Sequence, residues 1–253
     1  MITQPKILFA IALLACFTLS SRIARGASIT WDTPQHISGV GDVSTTGTLI
    51  GAANVGDVGV PSTTVNGVSF QSFAAPGGNG TSGIFTMTSG GFGVFQSNTG
   101  GASPNPPFSL LDPNYQTLLS SYVVPLFSPV TLTMSGLTIA SQYEFQFWSN
   151  VSSQGSYQIT ATAGNSIQLS SNIDGGDGGL GQWVIGTFTA DAAFQSIDFI
   201  GDGDGGFLNG FQLRLEPNVP SVPESGSTLP LLGAALSGLL IAQRKLRAGN
   251  AVR

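Results

Sequence analysis

Two neighbouring stretches of this chain alternate apolar and polar side chains with a period of two residues. In Val130–Leu137 the apolar residues are separated by Thr and Ser, and in Gln142–Trp148 Tyr and Phe alternate with Glu, Gln and Trp. A period of two places successive side chains on opposite faces of a strand, whereas a helix needs a period of 3.6. Both stretches are therefore predicted to be antiparallel strands with one face covered by core.

Shorter β-rich stretches continue this pattern, with turn residues about every 8–12 positions. Asn66-Gly67 stands between β-branched residues and predicts a hairpin, because both central positions of a type I′ turn need positive φ. The further strands are predicted within Ala27–Trp31, Asp42–Gly59, Thr63–Phe73, Ile84–Met87, Phe92–Gln96, Tyr157–Thr162, Ile167–Ser170, Gln182–Thr189, Gln195–Ile200 and Phe207–Leu215.

One short helix interrupts the strands. Asp112 suits the N-cap, Pro113 suits the first helical position, and the pattern runs to about Tyr122. Many short strands and one helix predict an all-β fold, an antiparallel β-sandwich of the jelly-roll kind. Residues 27–219, roughly 190 in number, are enough for a single core.

The predicted β domain carries little charge, and nearly all of it is negative. Charged residues make up 8% of the chain, against about 25% in typical soluble domains. Within Ala27–Val219, Arg214 is the single cation against twelve carboxylates, which gives a formal charge of −11. Contacts to phosphate need Lys or Arg, so a nucleic-acid partner is not expected, and an anionic lipid surface would repel the domain.

Residues 1–26 have the order of a secretory signal peptide. Lys6 precedes the thirteen-residue apolar run Ile7–Leu19, and small residues precede a cleavage site between Gly26 and Ala27. Thirteen helical residues span about 20 Å, which is short of a hydrocarbon core of about 30 Å. Removal by signal peptidase is therefore favoured over a permanent anchor.

Residues 220–253 form a tail of three parts: a polar motif, an apolar run and a basic end. The run Leu229–Ala242 is apolar on every face, which predicts a transmembrane helix rather than an amphipathic one. Positive charge resists translocation, so the basic end is expected to stay in the cytoplasm. The motif is Val222, Pro223, Glu224, Ser225 and Gly226, and the basic stop is Arg244, Lys245 and Arg247.

This tail resembles the PEP-CTERM sorting domain, in the variant with a Val-Pro-Asp-Ser-Gly core, with Glu224 in place of Asp. The resemblance implies a bacterial protein that is anchored transiently, processed by an exosortase-type membrane protease and delivered to the cell surface or extracellular matrix. It also implies association with exopolysaccharide. The stretches Thr-Val-Asn-Gly-Val-Ser-Phe, Leu-Thr-Met-Ser-Gly-Leu and Gln-Phe-Trp-Ser-Asn are similar to domains often found ahead of this tail.

The β domain lacks the residues that most enzyme mechanisms require. His36 is the only histidine and is expected to be an exposed loop residue, without the Gly-x-Ser-x-Gly elbow of serine hydrolases. Cys16, the only cysteine, lies in the signal peptide, where a lipoprotein cleavage box is the alternative to an ordinary apolar position. The domain has no lysine, which removes Schiff-base and P-loop chemistry. Paired carboxylates of a glycoside hydrolase stay open, although the sequence does not pair them.

Four aspartates in glycine-rich stretches are candidate calcium ligands: Asp174, Asp177, Asp202 and Asp204. Carboxylate oxygens on flexible loops suit Ca²⁺, although the spacing is not that of an EF-hand. The alternative is that Asp and Gly simply build turns here.

Large aromatic residues are candidates for stacking on sugars, since jelly-roll domains include lectins. They are Trp31, Trp148 and Trp183, together with Tyr143, and core packing is the alternative role.

These observations predict a non-enzymatic protein with a structural or adhesive role at the cell surface. A carbohydrate-binding module is the first alternative and a secreted glycoside hydrolase is the second. An exposed coplanar pair of aromatic rings would favour the module. Two carboxyl groups converging in a cleft would favour the hydrolase.

Overall fold

Two large β-sheets carry most of the secondary structure in the computed structural model, which describes residues 26–91, 94–203 and 205–217. The predicted signal helix, Asp204, the motif Val222–Gly226, the run Leu229–Ala242 and the basic stop lie outside the described residues. Within those three ranges, no helix is long and apolar enough to cross a membrane.

Sixteen strands, numbered in chain order, and one α-helix make up the described fold. The strands are Thr30–Trp31 (β1), Gln35–His36 (β2), Thr48–Gly56 (β3), Thr63–Val65 (β4), Val68–Ala74 (β5), Gly80–Ser82 (β6), Phe85–Ser89 (β7), Val94–Ser97 (β8), Tyr122–Pro125 (β9), Val130–Ser135 (β10), Gln142–Ser149 (β11), Gln158–Ala163 (β12), Asn165–Ser170 (β13), Gln182–Thr189 (β14), Phe194–Gly201 (β15) and Gly210–Leu215 (β16). The helix α1 is Pro113–Ser120, and 3₁₀ turns lie at Val40–Asp42, Pro76–Gly78 and Phe108–Leu110.

The larger sheet has the strand order β1-β14-β11-β16-β3-β5-β4, with β2 also paired to β14. The smaller sheet has the order β13-β12-β15-β10-β7-β6, and β8 pairs with β9 in a two-stranded sheet. These pairs are antiparallel except β3 with β5, since the chain crosses to the edge strand β4 and returns as β5 between β4 and β3. The predicted all-β class is confirmed, while the jelly-roll topology stays a prediction.

Two local sequence signals form as expected. Asn66 and Gly67 have φ values of 50° and 76° and connect β4 to β5. The Asp112 carboxylate accepts hydrogen bonds from the backbone of Asn114 (2.8 Å) and Tyr115 (3.3 Å), which caps α1. The helix ends two residues before the predicted end because the chain extends into β9.

The main core lies between the two large sheets. The apolar residues of the two alternating stretches face it, as predicted: Val130, Leu132 and Met134 from β10, and Tyr143, Phe145 and Phe147 from β11. Aromatic rings from several strands meet there, with Phe145 6.0 Å from Phe211 and Phe147 5.2 Å from Phe199. Burial of these large side chains is the main stabilising contribution of the sandwich.

The outer face of the larger sheet is also buried along β11, which corrects the prediction that Gln142–Trp148 has core on one face only. Glu144, Gln146 and Trp148 point away from the main core, yet they are 7%, 0% and 0% exposed. A second apolar cluster covers them with residues from α1, from the β4–β5 hairpin and from the chain near Ile37 and Val43. The cover comes from distant parts of the chain, which a local pattern does not reveal.

Polar side chains beneath this cover bond to one another. The Tyr115 hydroxyl donates to Asp42 (2.9 Å) and accepts a hydrogen bond from Trp148 Nε1 (3.0 Å). Gln146 donates to the Asp42 carbonyl (2.6 Å), and Gln212 donates to Gln146 Oε1 (2.6 Å). Burial, reinforced by Asp42, raises the pKa of Tyr115 well above its usual value. Pairing removes most of the cost of burying these groups.

Candidate functional site

The aspartates of the calcium hypothesis fall in two loops. Asp174 and Asp177 lie between β13 and β14, whereas Asp202 follows β15. The Asp177 carboxylate accepts hydrogen bonds from Ser103 Oγ (2.6 Å) and Asn105 Nδ2 (2.6 Å), so it fastens its loop to another.

The other two described carboxylates accept backbone hydrogen bonds, as turn-forming aspartates do. Asp174 accepts from the Leu180 N–H (3.2 Å) and Asp202 from the Gln158 N–H (3.2 Å). In the part of the chain that the structure describes, no three His, Cys, Asp or Glu side chains are placed to hold a metal ion. Because Asp204 lies outside that part, calcium binding stays a prediction.

Trp148 belongs to the core and offers no ring face to a sugar, which corrects its assignment as a stacking residue. It is fully buried, and its ring packs edge-on against Phe70 with 5.6 Å between centroids. Tyr143 is likewise buried and stacks on Phe188. Both residues lie on β11, which is covered on both faces.

Trp31 and Trp183 are partly exposed but lie on opposite faces of the larger sheet. Trp31 is opposite Gly186, and its ring packs against Phe145 and Phe147 on the main-core side. Trp183 is opposite Trp148 and therefore points to the other face. These two rings do not form a coplanar platform.

Carboxyl groups converge at one position, but it is closed. Burial raises the pKa of Glu144, and the neighbouring carboxyls of Glu216 and Asp32 add to the increase. The Glu144 side chain is 7% exposed, so a glycan has no access to it. His36 is exposed on the edge strand β2, where it is opposite Gln182. The carboxyl groups near Glu144 therefore do not form the open catalytic pair that a glycoside hydrolase needs.

A small pocket opens between β3, β5 and the β6–β7 turn. Its volume is about 190 Å³, and its lining is Ile50, Gly51, Ala52, Gln71, Ser82, Gly83, Ile84 and Phe85. No lining residue is titratable, so this pocket supplies no side chain for acid–base catalysis.

A surface rich in hydroxyl groups forms the outer face of the six-stranded sheet, here called the hydroxyl face. Every outward residue is at least partly exposed, and most are Ser or Thr. The face consists of Thr81, Thr86, Thr88, Thr131, Thr133, Ser135, Gln158, Thr160, Thr162, Ser166, Gln168, Ser170, Phe194, Ser196, Asp198 and Ile200.

The hydroxyl groups of this face are ordered across strands. Thr133 and Ser196 oxygens are 3.1 Å apart and those of Thr162 and Ser166 are 3.0 Å apart. Thr131 donates to the Asp198 carboxylate (2.6 Å), the one charged group on the face. Strand geometry spaces such groups by about 4.8 Å across strands and about 6.6 Å along them.

Part of this face is predicted by the sequence, whereas its alignment across strands is not. The alternation at Val130–Leu137 already separates Thr131 and Thr133 from the core side. The pairing of β10 with β7 and β15 aligns them with Thr86, Thr88 and Ser196, and this alignment depends on contacts far apart in the chain.

Comparisons with known proteins add little. No protein-family model matches this chain, and no curated protein matches it. Among solved structures, the enzymatically active domain of tailspike protein 4 from bacteriophage CBA120 is similar over 52% of this chain, with 14% identity and a TM-score of 0.29. The match spans 19% of the tailspike chain. A likeness of this size assigns neither a fold nor an activity.

Proposed function

We propose that this protein is a non-enzymatic adhesive component of the bacterial cell surface, which holds exopolysaccharide through the hydroxyl face. The single observation that carries the proposal is that face: a broad, exposed surface of Ser and Thr on the six-stranded sheet, while the outer face of the other sheet is buried along β11.

The chemistry of the face favours a hydroxyl-rich polymer. A Ser or Thr hydroxyl donates one hydrogen bond and accepts two, so a group paired to its neighbour keeps capacity for a ligand. Protein interfaces are instead anchored by buried aromatic, apolar or Arg side chains, and this face offers only Phe194 and Ile200.

Charge favours a neutral polymer over an anionic one. The β domain carries a single cation, Arg214, which is 6% exposed and lies in the larger sheet, where it bonds to Thr45, Thr46 and Gly47. Asp198 is the one carboxylate on the hydroxyl face. An anionic glycan would therefore meet no exposed cation of the β domain and would be repelled by its acidic surface.

The ends of the chain support delivery to the outside. The order of residues 1–26 fits a secretory signal peptide that directs export. Signal peptidase would remove it by cleavage between Gly26 and Ala27. The resemblance of Val222–Gly226, the apolar run and Arg244, Lys245 and Arg247 to a PEP-CTERM tail supports processing by an exosortase-type protease. The proposed location is the surface or the extracellular matrix.

The test is co-sedimentation of the full chain with an insoluble neutral glucan, in a detergent without a sugar headgroup. The triple variant Thr86→Val, Thr133→Val, Thr160→Val removes three hydroxyls and keeps β-branched side chains. We expect its affinity for the glucan to fall about tenfold or more, because each of the three lost hydrogen bonds contributes about 0.5–1.5 kcal/mol.

The matched control is Thr64→Val with Ser69→Ala, two exposed residues opposite each other on the β4–β5 hairpin. It should bind like the wild-type chain. Equal binding by the triple variant would refute the assigned face, and release of new reducing ends from the glucan would refute the non-enzymatic role.

A further inference from the structure

A group of aromatic rings lies beside the two-stranded sheet, and none of them belongs to the hydroxyl face. The register pairs Ser97 with Tyr122 and Phe95 with Val124, so these four side chains share one side of the sheet. On that side a small apolar cluster contains Val124, Val151 and Phe207, with Tyr122, Leu126 and Tyr157 packed against it.

Phe207 forms the floor of this group. Its ring centroid is 4.7 Å from that of Tyr122 and 5.4 Å from that of Tyr157, with interplanar angles of 88° and 57°. Phe207 is 5% exposed, both tyrosines are partly exposed, and Phe95 is 60% exposed. Two tyrosines held by a buried ring lose little further conformational freedom when a ligand binds.

Neutral polar groups surround the rings. The Tyr157 hydroxyl donates to Gln154 Oε1 (3.4 Å), and Ser97 Oγ accepts from the Gly100 N–H (2.9 Å). A Cβ at Gly100 would lie 2.5 Å from the Tyr122 hydroxyl, so the loop passes close to this ring. Ser153 Oγ donates to the Gly100 carbonyl (2.6 Å) and joins a second loop to the first.

We propose that Phe95, Tyr122 and Tyr157 form a stacking site for an uncharged pyranose ring, an inference that rests on the proposed function. A pyranose presents C–H groups on its faces and hydroxyls at its rim. The tyrosine rings match the faces, and Gln154, Ser153 and Ser97 match the rim. An anionic sugar is disfavoured because Asp202 follows in the adjoining loop, bonded to the Gln158 N–H beside Tyr157.

This site differs from the candidate stacking residues Trp31, Trp148 and Trp183 that the sequence offered. Its rings come from β9, from the residue before β12 and from the chain before β16, with Phe95 contributed by β8. They are Tyr and Phe, scattered along the chain, and no local pattern singles them out. The hydroxyl face holds the length of a polymer, whereas the ring site holds a single sugar unit.

The experiment is saturation-transfer difference NMR on the full chain in a detergent without a sugar headgroup. The probes are methyl glycosides of glucose, galactose, mannose and N-acetylglucosamine. At least one should receive saturation on its ring C–H protons. Tyr157→Ala and Phe95→Ala should each weaken its binding about tenfold, whereas Tyr157→Phe should retain it, because stacking needs the ring.

Phe95→Ala alters an exposed side chain, so it should leave the melting temperature unchanged. It therefore keeps the test valid even if Tyr157→Ala does not fold. The control Ile139→Ser changes another exposed apolar residue, 61% exposed in the β10–β11 turn, and should bind normally. Saturation that persists in both alanine variants, or no saturation of any probe, overturns the ring site. Glucan binding that persists in the same variants leaves the hydroxyl face intact, so the two proposals fail separately.

Discussion

Glu144 is a buried carboxyl group whose ionisation is opposed by its surroundings. Burial raises its pKa most; Ser44 opposes the increase, Glu216 adds to it, Arg214 opposes it and Asp32 adds to it. Its Oε1 atom is buried without a hydrogen-bond partner among the described residues. The folded state therefore disfavours the charged form relative to water.

The neighbouring cation, Arg214, directs its hydrogen bonds to groups other than the Glu144 carboxylate. Arg214 is opposite Glu144 on β16, but its guanidinium donates to the carbonyls of Thr45, Thr46 and Gly47 and to the Gln212 side chain. Its hydrogen bonds fasten the covering segment to the sheet. Arg214 thus serves structure, and the carboxyl group beside it receives only partial compensation.

This arrangement predicts a pH dependence of stability. The folded state holds the Glu144 proton more tightly than the unfolded chain, whose pKa is near 4.5. The free energy of unfolding therefore falls as pH rises from about 4.5 through the raised pKa. Glu144→Gln should remove this decline and melt above the wild-type chain at pH 8, with a smaller difference at pH 4. Asp191→Asn, an exposed turn residue, is the control, and identical pH profiles for wild type and Glu144→Gln would contradict the assignment.

At the scale of elements, the β4–β5 hairpin shows how a local turn supports a distant core. The Asn66-Gly67 turn sets the register that places Val65, Val68 and Phe70 over the larger sheet. Phe70 then meets the ring of Trp148, more than seventy residues later in the chain. A two-residue signal therefore contributes to burial of the sheet's outer face.

Gly67→Ala tests this element. Gly67 has a φ of 76°, and a Cβ there would meet nothing within 4 Å, so the cost comes from the backbone alone. We expect a loss of about 1–2 kcal/mol in the free energy of unfolding, measured by urea denaturation. Gly90→Ala also has open space but lacks a positive φ, and it should be close to neutral. Equal losses for the two variants would show that the turn conformation is not the cause.

At the scale of the whole molecule, an acidic β domain stands between two segments that the sequence marks as targeting signals. The described fold ends at Pro217, five residues before the motif Val222–Gly226. Pro223 disfavours the α conformation for Val222, which would keep the motif extended for a protease. The basic residues would hold the chain with the β domain outside.

Intact mass of the surface-extracted protein tests this organisation. We expect a species that begins near Ala27 and ends near the motif, without the basic stop. Pro223→Ala or Glu224→Ala should leave uncleaved protein in the membrane while export continues, and Pro217→Ala, upstream of the motif, should be processed normally. A surface species that still carries Arg244, Lys245 and Arg247 would show that the tail is a permanent anchor.

Elements that depend on neighbouring residues formed as the sequence predicted. The alternation at Val130–Leu137, the cap at Asp112 and the Asn66-Gly67 turn each depend on residues within a few positions, and each formed as predicted. Gly210–Leu215 began later than the predicted start at Phe207, since the first paired residue depends on the partner strand. Strands at Gln35–His36, Gly80–Ser82 and Tyr122–Pro125 were missed, because they are short and form only by pairing with other strands.

By itself, then, the sequence determined the all-β class, the helix, the hairpin and the acidic charge of the β domain. The tertiary structure alone decided that both faces of β11 are covered, that Trp148 lies inside, and which surfaces remain open. Burial of a strand's outer face depends on which distant segment packs on it, and a period of two residues carries no information about that segment. The hydroxyl face and the ring site arise in the same way, from strand register and loop packing between residues far apart in the chain.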